Sequence, residues 1–360
     1  MTTEKNDLLE FIKAEIDTKG PIPFSRYMEI CLYHSSMGYY QKPGTRTGKE
    51  GDFFTAPHVH SIFGRTLANW LGKSIREIKV DSPTFLELGP GNGQLAEDIL
   101  STWTIKDRPT GVILVETSSG GRNALLERLS EFNVSVFGPE DWENLSRFSG
   151  FVVANEFFDA LPLRLLERAE NKLLEIHVDY NGHSLEEVMA PARPNSLDPV
   201  VEKMLSKFPS GHRFEYAPEG RTWLFRVAEK LKRGFFLILD YGETVEALSV
   251  PWRSEGTLRC YREHRIVNDP LSNPGQMDIT AHVNFTLLRE WAMEAGFTVN
   301  NYTTQSSFLI RSGILDLLAK QLEGREGDLD ATKEWLTVKN LLHDESGMGE
   351  VFKVMVLKKD

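Results

Sequence analysis

The chain has 360 residues, 41% hydrophobic and 26% charged, enough to bury a large core and too apolar for long disordered stretches. A formal net charge of −11 argues against nonspecific nucleic-acid binding, which needs cations to displace phosphate counterions, and suits a basic target instead. The only two cysteines, Cys31 and Cys260, exclude a disulfide framework and a cysteine-built zinc site, and read as reduced thiols of a cytoplasmic protein.

The opening segment, MTTEKNDLLEFIKAEI, carries acids at amphipathic spacing. It has neither a signal peptide's apolar core nor a transit peptide's arginines. Asp7 to Ile16 predicts a helix, Gly20-Pro21-Ile22-Pro23 breaks it, and Phe24 to Tyr33 predicts a second. A glycine-rich polar stretch from Gly38 to Gly51 predicts an exposed loop. His58 to Ile78 then resumes one long helical pattern. From Pro83 the character changes to short apolar runs alternating with helical segments. Strands are expected at Thr84–Leu88, Gly111–Val115, Val134–Phe137, Phe151–Ala154 and Phe235–Leu239, with helices at Gln94–Trp103 and around Ala124–Leu129. Such alternation predicts a parallel sheet with right-handed crossovers. Two insertions interrupt it, at about 161–218 (with a hairpin of Leu163–Arg168 and Leu173–Tyr180) and about 242–280. A helix at Phe285–Ala295 and strands at Phe297–Thr303 and Phe352–Lys358 close the chain. The expected organisation is an N-terminal helical segment and lid over 1–80, followed by one catalytic domain over 81–360. No run approaches the roughly 20 apolar residues of a membrane helix.

Glu87-Leu88-Gly89-Pro90-Gly91-Asn92-Gly93 stands between a strand and a helix. Glycines at alternating positions let the backbone turn tightly and approach a ligand, and free amides at the helix start favour an anion. The spacing is G-x-G-x-G, whereas a dinucleotide fingerprint wants a small residue where Gln94 stands. Glu116, ending the second strand, suits the paired hydroxyls of a ribose, or else caps a helix. Asp141-Trp142, after the third strand, suits an adenine amino group with an apolar cover over the ring, or else a solvated loop charge. Glu87 itself suits a cofactor that carries a positive amino group, which NAD lacks. Together, in strand order, these features form the sequence pattern of class I methyltransferases that bind S-adenosyl-L-methionine.

Several further blocks resemble one family more narrowly. They are Gly20-Pro21-Ile22-Pro23-Phe24 with Tyr27-Met28; Gly38-Tyr39-Tyr40; Gly51 to Pro57 with Phe63-Gly64; Asn155 to Pro162; Asp240-Tyr241-Gly242; and Asp278 to Phe285. In this order they are similar to the MidA-like methyltransferases, which include a mitochondrial complex I assembly methyltransferase. The resemblance implies a Rossmann-like class I sheet, mostly parallel with an antiparallel C-terminal strand. It also implies methylation of arginine on a protein, a respiratory-complex subunit being the target in the mitochondrial case.

Arginine poses a sharp chemical problem, because its guanidinium stays protonated up to a pKa above about 12. A carboxylate can fix the planar fork, draw charge away from the attacking nitrogen and accept a proton. Asn155-Glu156, at the tip of the fourth strand, carries this role in our reading. Asn155 borders the cofactor, Glu156 orients the guanidinium and Asp159 supports it; the bland alternative makes Asn155 a helix cap. His282 is a candidate general base or a structural histidine, and Asp52 and Thr55 candidate lid residues over the cofactor. Phe157, Phe158, Tyr241 and Trp252 line a substrate channel or fill core. His58 and His60 have no metal-ligand spacing, and no metal is expected. The alternatives are a small-molecule methyltransferase, a cofactor-binding assembly chaperone and, as outsider, a dinucleotide oxidoreductase.

Overall fold

The computed structural model describes residues 4–41, 56–103, 108–169, 172–193, 197–262, 265–325, 327–343 and 348–360. Its contacts divide the chain into two compact units, one of residues 1–44, 158–225 and 242–295, the other of residues 45–157, 226–241 and 296–360.

The second unit is built on the strands β1 (Thr84–Leu88), β2 (Gly111–Val115), β3 (Val134–Phe137), β4 (Phe148–Asn155), β5 (Leu231–Glu243), β6 (Thr298–Thr304) and β7 (Phe352–Lys359). They pair in the order β6-β7-β5-β4-β1-β2-β3. β1 to β5 pair in parallel, and β7 runs antiparallel to both β5 and β6. This is the Rossmann-like class I methyltransferase sheet. Phe151–Ala154 and Phe235–Leu239 are uninterrupted apolar runs because these central strands are buried on both faces. One core joins them to Leu67 and Leu71 of the helix Ile62–Ile78, to Ile99, and to Leu125. The expected single helix from His58 is two, Ala56–Val59 and Ile62–Ile78. The imidazole Nδ1 of His60 accepts the Ile62 amide (3.0 Å), and that local bond starts the second helix afresh.

The register sets the working edge of the sheet. Leu88 lies beside Val115 and Ala154, Val115 beside Phe137, and Asn155 beside Leu239. The residues that follow each strand therefore gather along one carboxyl edge, where ligands collect in such sheets.

The first unit holds an antiparallel sheet of Ile22–Pro23, Lys172–Tyr180, Arg164–Ala169 and Arg213–Tyr216, with Leu185–Pro191 also pairing to Lys172–Tyr180. A three-stranded sheet of Arg259–Arg262, Arg265–Val267 and Asp278–Thr280 lies in the same unit. Its core includes Ile12, Phe24, Tyr27, Ile176 and Ile279. A two-pronged ion pair, Arg164 to Glu175 at 2.8 and 2.6 Å, pins the hairpin. The helices Pro199–Leu205, Gln305–Arg311, Ile314–Leu322 and Leu329–Leu342 went unread in the sequence.

Candidate active site

Gly89, Gly91 and Gly93 have φ of 63°, 55° and 82°, so each occupies the left-handed region. A β-carbon on Gly89 would lie 2.9 Å from the Phe157 ring, and one on Gly93 2.7 Å from Leu125. One on Gly91 would meet nothing within 4 Å, leaving open space beside the bend. Asn92 is held from both sides: its Oδ1 accepts the Gln94 amide (3.1 Å) and its Nδ2 donates to Nε2 of His58 (2.8 Å). Burial lowers the His58 pKa below its ordinary value, against the raising effect of that bond, so a neutral ring is there to accept. This supporting role for His58 was invisible to a search for metal spacing. Arg128 braces the following helix from outside, donating to Glu97 (2.6 Å) and Gln94 (2.5 Å).

Glu87 is 2% exposed, and its Oε2 has no hydrogen-bond partner among the described residues. Burial alone pushes its carboxyl up to about 8, so it is largely protonated at neutral pH. Glu116 accepts the Ser118 amide at 2.8 Å, and its own amide donates to Phe137 (2.9 Å). It thus takes part in starting the helix Ser119–Arg128 as well as standing at the tip of β2. Asp141 accepts the Gly138 amide at 3.0 Å and is fixed rather than a loose solvated charge. Trp142 follows Asp141 and is buried. Its indole is 1% exposed, so a ring stacked on it would need neighbouring side chains to move.

At the tip of β4 no helix follows Asn155, which rules out the helix-cap alternative. Glu156 instead has φ 51°. Among the described residues Lys79 is the only other non-glycine with positive φ, and it ends a helix. Left-handed backbone costs a residue with a β-carbon about 1–2 kcal/mol. Asn155 donates to the Glu156 carboxylate at 3.2 Å, while the Glu156 amide donates to Leu239 (2.9 Å). Phe157 follows with its ring against Gly89, and Tyr241 packs edge-on to Phe352.

Asp159 and His282 belong to the first unit, where the Ala281 amide donates to the Asp159 carbonyl at 3.3 Å. The His282 amide donates to Thr257 (3.0 Å), which in turn donates to the half-buried Glu215 carboxylate. His282 lines a cavity of about 30 Å³ with Phe158, Asn284 and Trp291. That volume suits about one water and not an arginine side chain. Phe158 is buried and Trp252 exposed. A hollow of about 430 Å³, lined by Leu315, Trp335, Lys339 and His343, includes none of the strand-tip residues. Thr55 and Asp52 lie outside the described residues, as does most of the glycine-rich loop. Among the described residues no cluster of three His, Cys, Asp or Glu could hold a metal ion, and no helix is long and apolar enough to cross a membrane.

A family model described as S-adenosyl-L-methionine-dependent methyltransferase matches residues 66–303. The chain belongs to this family. The methyltransferase is 28% identical to the mitochondrial protein arginine methyltransferase NDUFAF7 of Xenopus tropicalis, over 98% of this chain and 86% of the relative. It is 29% identical to the Drosophila melanogaster homolog, over 97% and 84%. A Burkholderia thailandensis protein solved with S-adenosylhomocysteine bound superposes with TM-score 0.86 at 29% identity, covering 99% of this chain and 92% of that one. A native structure from the same organism superposes at 0.84 with 30% identity and the same coverage. The resemblance to MidA-like methyltransferases therefore holds, and S-adenosyl-L-methionine is the cofactor.

The residues present fit that group. The open side of Gly91 leaves room for it, and the partnerless, buried Glu87 oxygen suits a cationic amino group. When bound, the cofactor supplies an electrophilic methyl group on sulfonium.

Proposed function

We propose that this methyltransferase acts on arginine of a protein substrate, with Glu156 receiving and orienting the guanidinium. The observation that carries the reading is Glu156 itself, a carboxylate held in left-handed backbone at a strand tip one residue from the ring that covers Gly89. A residue that costs free energy to hold there is retained for what its side chain does. The names of the relatives support arginine as the acceptor. In this reading Glu87, Gly89, Gly91, Gly93, Glu116, Asp141 and Asn155 border the cofactor, and Asp159 is a supporting acid. The small cavity beside His282 favours a structural hydrogen-bonding role for that residue over a general base. Thr55 stays a proposed lid residue. A respiratory-complex subunit is the first candidate target, and the cytoplasm the proposed compartment.

The test incubates the protein with cofactor tritiated on its methyl group in lysate from cells lacking it, then identifies the labelled molecule and residue. Label is expected on arginine of a protein. Glu156→Gln should lower transfer by roughly 100-fold, the worth of hydrogen bonds to a charged group, while S-adenosylhomocysteine binds almost as before. Label on small metabolites alone would move the substrate class. Unimpaired function of the variant in cells would favour a chaperone.

A further inference from the structure

Asp240 is fully buried near the end of β5. Its Oδ2 accepts the Phe157 amide at 3.2 Å and its Oδ1 the Tyr241 amide at 3.0 Å. Two successive amides of the β4 tip thus end on two successive residues of β5: Glu156 on the Leu239 carbonyl, Phe157 on the Asp240 carboxylate. The first bond continues the parallel register of Asn155 with Leu239. The second cannot belong to a ladder, in which successive amides of a strand point to opposite neighbours; after the turn at Glu156 the Phe157 amide also faces β5, and there a side-chain carboxylate receives it.

We propose that Asp240 is a positioning residue: it clamps the left-handed turn at Glu156 and, through the Phe157 ring against Gly89, sets the cofactor loop. Its catalytic consequence rests on Glu156 as the acceptor acid; the clamp itself does not. Asparagine at this position keeps one acceptor oxygen and turns an NH2 group toward the other amide, so that donor faces donor. Glycine at 156 adopts the left-handed conformation unaided and makes the clamp unnecessary.

The test combines residue-resolved hydrogen exchange with calorimetry of S-adenosylhomocysteine binding to the full chain. In Asp240→Asn the Phe157 amide should exchange roughly tenfold faster or more, as expected for loss of a charge-assisted bond, while Val153 and Leu237 keep their rates. S-adenosylhomocysteine should bind roughly tenfold more weakly, and adding Glu156→Gly should bring the affinity back to within about threefold of the unaltered protein. A merely structural aspartate would loosen the whole sheet and would not be rescued at 156. Uniform acceleration, unchanged exchange at Phe157, unchanged affinity, or a double variant no better than Asp240→Asn overturns the proposal. Should Asp240→Asn not fold, the unaltered protein decides: its Phe157 amide must be protected like Val153, and rapid exchange there refutes the clamp. Neither measurement uses a methyl acceptor, so an arginine reading that fails leaves both results intact.

Discussion

Gly91 and Glu156 share almost the same backbone angle, φ 55° and 51°, in the turns after the adjacent strands β1 and β4. Gly91 reaches it at no steric cost and leaves an open space where its side chain would be. Glu156 reaches it against the clash of its own β-carbon, with hydrogen bonds from Asn155 and to Leu239 beside it. In the proposed site one bend makes room for the cofactor and the other presents a carboxylate. Bends of one shape can therefore serve opposite ends, and the residue type says which.

The sharpest way to break this contrast is Gly91→Ala. No contact opposes the new methyl, so the fold should lose only about 1–2 kcal/mol of backbone strain. Binding of S-adenosylhomocysteine, measured by calorimetry, should nevertheless disappear, because the methyl fills the space the ligand needs. Binding that survives would show that the open side of Gly91 is not where the cofactor lies.

Glu87 gives the next largest effect. Its folded carboxyl titrates at about 8 against an ordinary 4.5, so between these values the folded state binds the extra proton. The contribution of Glu87 to stability is then fully present below about 4.5, falls as pH rises through this window, and is lost above about 8. The fall should be on the order of a few kcal/mol. Denaturant melts from pH 5 to 9 should show it in the unaltered protein and a flatter profile in Glu87→Gln. Affinity for S-adenosylhomocysteine, with its cationic amino group, should rise toward pH 8 and lose that rise in the variant. A pH profile identical in both proteins would rule out the buried carboxyl as its source. Glu116→Gln is a smaller step. It keeps an acceptor for the Ser118 amide but removes charge from the proposed ribose contact, and roughly tenfold weaker binding is expected by calorimetry. Undiminished affinity would leave Glu116 as a helix-starting acid only.

The sequence carried much of this, and the reasons divide cleanly. The runs Phe151–Ala154 and Phe235–Leu239 announce strands because burial on both faces demands unbroken apolar sequence. The three glycines announce a bend because few other residues tolerate positive φ. Asp240 stood in a block that marks the family, yet its role needs the amide of a residue 83 positions away, and no local pattern encodes that. His58 is hidden the same way, its partner Asn92 lying 34 positions on. An aromatic after an acid, as at Trp142, reads the same whether it covers a ligand or packs inward, and its near-complete burial is something no local pattern encodes. The helix Leu329–Leu342 did carry a start signal, Asp328, whose carboxylate accepts the Asp330 amide, but its exposed apolar residues blur the amphipathic pattern.

The smallest effect is the most direct test of why Glu156 is a glutamate. In Glu156→Gly two terms oppose each other. Relief of left-handed strain favours the folded state by about 1–2 kcal/mol, whereas the greater freedom of glycine in the unfolded chain costs about 0.5–1 kcal/mol. Loss of the half-exposed bond from Asn155 costs at most about 1 kcal/mol more. The sum lies between a loss of about 1 and a gain of about 1.5 kcal/mol, so urea unfolding should place the variant within this narrow span of the unaltered protein, even as methyl transfer fails. A protein within about 1 kcal/mol of the original stability or above it, and yet inactive, would show that the strain is kept for chemistry. A loss of 2 kcal/mol or more would instead make Glu156 a structural residue, because the carboxylate would then be holding the turn rather than being held by it.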